Sequence, residues 1–174
     1  MLNRAHLVLL LACGLFAAAA CSRSDAPEQT LEDEPSAASA PKADDALILR
    51  VRAAAHALSQ PEPSVDYVAA EMEGVIMART RNQALIHYDG YRATLTTPTD
   101  RVTRIVFLFT EAKPRIGQLT GEFGAPKPTG RGMLYELRSA TTGAVLEILA
   151  EPVALPFNDD SLVRRIIIEG ARTH

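Results

Sequence analysis

The chain contains very little cysteine, which excludes several kinds of site. Among its 174 residues there are two cysteines, Cys13 and Cys21. Residues 22–174 therefore contain no disulfide and no cysteine-based zinc or iron–sulfur site. The same count excludes a cysteine nucleophile from this part of the chain.

Tryptophan is absent and aromatic residues make up only 5% of the chain. This weakens the case for a surface that stacks sugars or single-stranded bases. Charge of one sign is also lacking, since residues 45–174 hold fifteen basic and fifteen acidic side chains. A balanced charge without a basic stripe argues against nucleic acid as a partner.

The N-terminal residues have the pattern of a secretory signal. Arg4 precedes an apolar run over residues 7–20, and this run ends in small residues, including Ala18, Ala19 and Ala20, before Cys21. A transmembrane anchor is the alternative. However, the run has 14 residues, whereas a helix needs roughly 20 to span a bilayer.

With cysteine as the first mature residue, this segment resembles a bacterial lipoprotein signal. The resemblance implies removal of residues 1–20 and lipidation of Cys21, with palmitate among the acyl chains. Residues 10–13 match the usual lipobox more closely, but cleavage before Cys13 would leave an apolar stub on the mature chain. By the enterobacterial sorting rule, Ser22 implies attachment to the periplasmic face of the outer membrane.

Residues 21–44 are expected to be the lipidated cysteine and a disordered tether. The segment is rich in alanine, serine, proline and acidic residues, and Leu31 is its one large aliphatic side chain. Such a composition cannot bury enough apolar surface to offset the entropy lost on ordering. Glu32, Asp33 and Glu34 leave open an alternative role as an acidic recognition segment.

Residues 45–174 have the size of a single domain, and three short motifs occur twice in the same order. The paired segments are 60–64 with 125–129, 74–77 with 132–135, and 102–106 with 163–167. This pattern predicts two repeats over about 45–110 and 111–170.

Each repeat is predicted to be one helix followed by about three antiparallel strands. The fold class is therefore α+β, with the helices packed on one face of the sheet. Asp44 or Asp45 is expected to cap the first helix, and the second helix is expected to begin near Pro114 and end at Gly124. Strands are expected near residues 72–80, 84–97, 102–109, 132–138, 144–151 and 162–169. Asp89-Gly90 inside the second of these predicts either a tight hairpin turn or a bulge.

The last strand of each predicted repeat has one wholly apolar face, which the helices should cover. The other face combines arginine with aliphatic residues, as protein-binding surfaces do. The candidate protein-binding residues are Arg104, Val106, Leu108, Arg165 and Ile167. The alternative is that the two arginines are ordinary solvent-side residues that pair with neighbouring acids.

A family resemblance covers residues 45–170. It is carried by a helix ending in residues 123–126, Tyr135 on the next strand, and a closing strand of the Val-x-Arg-Ile type. These features resemble the small outer-membrane assembly lipoproteins of the SmpA/OmlA (BamE) kind, and two such units in tandem resemble the β-lactamase-inhibitor-protein fold. The chain departs from the pattern by lacking the tryptophan often found on the first strand.

Catalytic patterns are not evident in the sequence. His56, His87 and His174 have no partner at metal-ligand spacing. The pair Asp159-Asp160 has the character of a turn, and His87 and Tyr88 should point to opposite faces of a strand. We therefore expect no enzymatic activity, no cofactor and no metal.

These observations predict a membrane-anchored periplasmic lipoprotein that acts as a protein-binding or structural module of the cell envelope. A periplasmic inhibitor or immunity protein against an envelope-targeting toxin or hydrolase is the alternative. Carriage of a small apolar ligand between helices and sheet is a third possibility.

We expect replacement of Cys21 by serine to release the protein from the membrane fraction, because the lipid anchor would be lost. Cys13→Ser is the matched control and should leave the protein membrane-bound. Fractionation and immunoblotting measure both variants. Release by Cys13→Ser, with retention of Cys21→Ser, would show that the other cysteine is lipidated.

Overall fold

The computed structural model describes residues 43–140 and 142–170, with side chains from Asp45 onward. The predicted signal peptide, Cys21 and residues 22–42 of the predicted tether lie outside this part, as does His174. Residues 43 and 44 belong to the first helix, so the predicted end of the tether at residue 44 is wrong by two residues. Within the described residues no helix is long and apolar enough to cross a membrane.

The described residues form three helices and eight strands. The helices are α1 (Ala43–Leu58), α2 (Val65–Glu71) and α3 (Ile116–Phe123). The strands are β1 (Ile76–Arg79), β2 (Gln83–Tyr88), β3 (Tyr91–Thr96), β4 (Arg104–Phe109), β5 (Lys127–Pro128), β6 (Met133–Arg138), β7 (Val145–Pro152) and β8 (Val163–Gly170).

All eight strands belong to one antiparallel sheet with the order β1-β2-β3-β4-β8-β7-β6-β5. The predicted tandem repeat of one helix plus about three strands, with helices on one face, is therefore wrong. Among the described residues, those up to Phe109 form two helices and four strands, whereas those after it form one helix and four strands. The two halves meet where β4 pairs with β8.

The paired Pro-x-Pro motifs show why the repeat prediction failed. In the first motif, Ser64 caps α2, because its Oγ accepts a hydrogen bond from the Tyr67 backbone N–H at 3.2 Å. In the second motif, Lys127 and Pro128 form β5, and Thr129 accepts a hydrogen bond from the Gly132 N–H at 3.1 Å in a turn. The same short pattern thus begins a helix in one place and a hairpin in the other.

Two of the predicted strands also differ in the structure. The segment 72–80 follows directly on the unpredicted helix α2, and only its end forms β1. The segment 84–97 is a hairpin of β2 and β3, the first of the two alternatives for Asp89-Gly90, since Tyr88 pairs with Tyr91 across these two residues. Gly90 has a φ of +78°, a left-handed conformation that glycine adopts without steric cost.

Helix α1 is amphipathic in the expected way. Since it begins at Ala43, Asp44 and Asp45 lie in its first turn and do not cap it. An apolar stripe on one side of the helix faces the protein interior and is buried; it comprises Leu47, Ile48, Val51, Ala54, Ala55 and Leu58.

The hydrophobic core contains residues of all three helices and of one face of the sheet. In β4, Ile105, Phe107 and Phe109 are buried, and the residues between them are partly exposed. Tyr135 of β6 is completely buried, and its hydroxyl donates to the Ile116 carbonyl of α3 at 3.4 Å. Each large apolar side chain of this kind contributes about 1.5–3 kcal/mol on burial. The helices do not cover the opposite face of the sheet, which carries Arg104, Val106 and Leu108 of β4 and Arg165 and Ile167 of β8. We call it the open face.

Gly132 allows a close approach between β6 and β7, and this makes a stability prediction. A Cβ atom at Gly132 would lie 2.1 Å from the Ala150 carbonyl oxygen, which is backbone and cannot rotate away. We expect Gly132→Ala to lower the free energy of unfolding by about 1–3 kcal/mol or more. Thermal or urea denaturation measures the change.

Gly130→Ala is the matched control, since a Cβ at Gly130 would meet no atom within 4 Å. This variant should be neutral, or more stable by about 0.4–1 kcal/mol, because alanine restricts the unfolded chain. Equal destabilisation by both variants would contradict the packing argument.

Candidate functional site

The five candidate residues predicted from the sequence lie together on the open face. The register of β4 with β8 places Val106 opposite Ile167 and Leu108 opposite Arg165. Arg104 lies on the same face, opposite Glu169. The candidate residues therefore form one continuous surface at the centre of the sheet, although their role in binding remains a prediction.

A row of aliphatic side chains crosses the open face. It consists of Val106, Ile167, Leu149 and Leu134, which face one another in register from β4 through β8 and β7 to β6. We call these four residues the apolar row. Ile167 is only 3% exposed, because its neighbours in the row cover it, whereas the other three are partly exposed.

Charged side chains flank the apolar row on one side. Glu169, Glu147 and Glu136 face one another in register on β8, β7 and β6. Arg104 Nε lies 3.4 Å from Glu169 Oε2, and Lys127 Nζ donates to Glu136 Oε1 at 2.7 Å. A cation at each end of the line offsets the repulsion that adjacent like charges on a sheet produce.

The other side of the apolar row holds the one buried charged residue among the described residues. Glu151, at the end of β7, is 1% exposed. Arg131 Nη2 donates to Glu151 Oε1 at 2.6 Å, and Arg165 Nε donates to Glu151 Oε2 at 2.7 Å. Arg164 Nη2 lies further away, at 3.7 Å from Oε2. We call Arg131, Arg164 and Arg165 the arginine cluster.

A β-bulge brings two of these arginines to one carboxylate. Glu151 pairs with Arg165 and Pro152 pairs with Val163, so Arg164 is the extra residue on β8. A bulge of this kind redirects a side chain that regular alternation would send to the opposite face. The bulge therefore explains how consecutive arginines can both approach Glu151.

The arginine cluster borders a recess of about 400 Å³ at this end of the sheet. Val153, Ala154 and Leu155, which follow β7, line its other side. A second recess of about 260 Å³ lies over the apolar row, and Arg131 lines both recesses. The open face thus has two neighbouring recesses. The larger one is lined by the arginine cluster, and the smaller one lies over the apolar row.

Both arginines proposed as binding residues are paired with carboxylates, Arg104 with Glu169 and Arg165 with Glu151. The sequence left this pairing open as the alternative to a binding role. It gives Arg165 a structural role, because Glu151 is buried whereas Glu169 is partly exposed.

Several residues of this surface were missed by sequence reasoning, namely Glu151, Arg131 and Arg164 together with Leu134 and Leu149. A glutamate inside the apolar strand β7 and an arginine doublet at the start of β8 are signals that such a cluster exists. The sequence does not show that they meet, since the contact depends on the bulge and on the register of β7 with β8.

The residues considered for catalysis do not converge. His87 is exposed, whereas the hydroxyl of its neighbour Tyr88 is buried and donates to the Met72 carbonyl at 3.0 Å. Burial raises the pKa of Tyr88 above its ordinary value. Asp160 lies 3.9 Å from Arg115 in a surface loop. Among the described residues, no group of three or more histidine, cysteine, aspartate or glutamate side chains is arranged to hold a metal ion.

Comparisons of the chain with protein-family models, with curated proteins and with solved structures find no match. The resemblance to outer-membrane assembly lipoproteins and to the inhibitor-protein fold therefore remains a prediction.

The buried carboxylate makes a prediction about stability. Arg165→Ala should lower the free energy of unfolding by about 1–3 kcal/mol, because Glu151 would lose one of its two hydrogen-bonded arginines while remaining buried. Denaturant unfolding of the purified protein measures this loss. Adding Glu151→Gln to the same chain should recover part of it, since the incompletely compensated charge is then removed.

Arg104→Ala is the matched control on the adjacent strand. Its partner Glu169 remains partly exposed to water, so we expect a cost of at most about 1 kcal/mol. Equal losses for Arg104→Ala and Arg165→Ala would mean that burial of Glu151 does not govern the stability of this surface.

Proposed function

We propose that the chain is a lipid-anchored envelope protein whose open face binds another protein. In this proposal Cys21 attaches it to the periplasmic face of the outer membrane, and residues 45–170 form the binding module. The N-terminal sequence pattern supports the location, and the surface of the sheet supports the binding role. The two supports are independent of each other.

The apolar row is the observation that carries the binding role. An antiparallel sheet with one face in solvent normally has polar residues on that face. Here four aliphatic residues face one another across adjacent strands at the centre of the face. Charged groups lie on both sides of them, as in the apolar centre and polar rim of a protein–protein interface.

The alternative roles differ in what they require of the surface. Carriage of a small apolar ligand needs a cavity between the helices and the sheet that a ligand can enter, and the core side chains there are largely inaccessible to solvent. An inhibitor or immunity protein could use the same open face, and only the nature of its partner would separate that role from a structural one.

Site-specific photo-crosslinking in intact cells tests the proposal. A photoreactive amino acid replaces Val106 or Leu149 of the open face in separate variants of the full-length protein. We expect each variant to give a discrete crosslinked product with another envelope protein, because these side chains would lie within the interface. Immunoblotting detects the products and mass spectrometry identifies the partner.

The matched controls carry the same photoreactive group at Leu49 or Tyr67, which are 52% and 37% exposed. These residues lie on α1 and α2, which pack on the core face of the sheet, and we expect neither position to give the product. A second test adds Val106→Lys to the Leu149 crosslinking variant, which should lose its product without a change in thermal stability. Products of equal size and yield from all four positions would contradict an interface on the open face.

Arg165 is unsuitable for such a test. Its replacement by glutamate would place a second carboxylate against the buried Glu151. A loss of binding would then report unfolding and not the loss of a contact.

A further inference from the structure

The arginine cluster has more positive charge than its single carboxylate can neutralise. The guanidinium groups of Arg131, Arg165 and Arg164 lie 2.6, 2.5 and 3.7 Å from the Glu151 carboxylate. The side chains of these three arginines are nevertheless 64%, 38% and 59% exposed, in the same order. A concentrated and accessible excess of positive charge therefore lies at one end of the open face.

Glu151 also orients the donors that remain. Its carboxylate accepts hydrogen bonds from Arg165 Nε and from Arg131 Nη2, and Arg165 Nη2 lies 2.5 Å from Oε2. These contacts hold the two guanidinium planes in place. In the part of the chain described here, Arg164 approaches Glu151 only at 3.7 Å, beyond hydrogen-bonding distance. Its planar set of N–H donors is thus available to an incoming anion, next to two groups that are already ordered.

Exposed aliphatic side chains lie on the opposite side of the same recess. Val153 and Leu155 are 52% and 67% exposed, and both line the recess together with the arginine cluster. The segment is held to the sheet where the Val153 N–H donates to the Leu162 carbonyl at 2.8 Å. A ligand here would meet positive charge on one side and apolar surface on the other.

We propose that this recess binds an acidic peptide segment of a partner protein, with a carboxylate on the arginine cluster and an adjacent apolar side chain on Val153 and Leu155. The proposal rests on the proposed function, because it names the chemistry of the partner at one end of the open face. Guanidinium groups bind planar carboxylates through paired hydrogen bonds. The apolar side of the recess gives a peptide a second contact that a free anion would not use.

The apolar side of the recess, and not its charge, favours a peptide over a free phosphate. The arginine cluster has a net positive charge and attracts either anion. Only a peptide could place an apolar side chain against Val153 and Leu155 at the same time. The concave form of the site also suits a projecting side chain better than the flat surface of a membrane.

The experiment measures direct binding of short fluorescent peptides to the full mature protein in a non-ionic detergent. One peptide alternates glutamate with leucine, and its counterpart has glutamine in place of each glutamate. We expect fluorescence anisotropy to show binding of the glutamate peptide and at least tenfold weaker binding of the glutamine peptide. The neutral amide lacks the charge that strengthens a hydrogen bond from a guanidinium group.

Arg164→Gln is the informative variant, because the two arginines that hydrogen-bond Glu151 remain in place. It should weaken binding of the glutamate peptide about tenfold and leave the thermal unfolding midpoint nearly unchanged. Arg81→Gln is the control with the same change in net charge, at an exposed arginine before β2. It should leave the affinity unchanged. Replacing Val153 and Leu155 together by serine should also weaken binding of the glutamate peptide.

Inorganic phosphate and vesicles of anionic phospholipid distinguish the other sources of negative charge. Tighter binding of phosphate than of the peptide, with no effect of the Val153 and Leu155 replacements, would overturn the proposal in favour of a small-anion site. Binding to vesicles but not to the peptide would overturn it in favour of a lipid surface. Equal affinity of Arg164→Gln and Arg81→Gln, or no binding at all, would also overturn it.

The outcomes remain separable from those of the proposed function. If the glutamate peptide does not bind but Val106 and Leu149 give crosslinked products, only the acidic-peptide site is rejected. Specific peptide binding without crosslinking would support this site and reject the apolar row as the interface.

Discussion

The pairing of β4 with β8 is the interaction on which the rest of the structure depends. These strands come from the two halves of the chain, and their register joins the halves into one sheet. Because side chains alternate along both strands, the pairing places Phe107 opposite Ile166 in the core and Val106 opposite Ile167 on the open face. A shift by one residue would exchange the buried and open sets, which makes this register strongly specified.

Glu151 places a second constraint on the same sheet. A carboxylate that is 1% exposed requires partners, and the bulge on β8 and the glycine before β6 bring arginines to it. The energetic cost of leaving this charge unpaired couples the end of β7 to β8 and to the turn that carries Arg131. One cluster therefore contributes to stability and also concentrates positive charge beside the apolar row. A structural role and a binding role can coexist there, because Arg164 is not hydrogen-bonded to the carboxylate.

Local patterns in the sequence predicted many of the elements but not their assembly. The apolar stripe of α1, the end of α3 at Gly124 and the central strands follow from periodicity and from turn chemistry. The repeat was wrong because short motifs do not have one structure. Ser64 caps a helix, whereas the equivalent Thr129 lies in a turn, and only the surrounding residues decide between these outcomes.

By itself, the sequence determined what this protein lacks and which strand residues share a face. It excludes cysteine chemistry from residues 22–174, and its alternation in β4 separates Arg104, Val106 and Leu108 from the core. Only the tertiary structure decided that the apolar row continues through Leu149 and Leu134, and that Arg131 and Arg164 meet Glu151. These contacts depend on long-range register and on a bulge, and neither is encoded by the periodicity of a single strand.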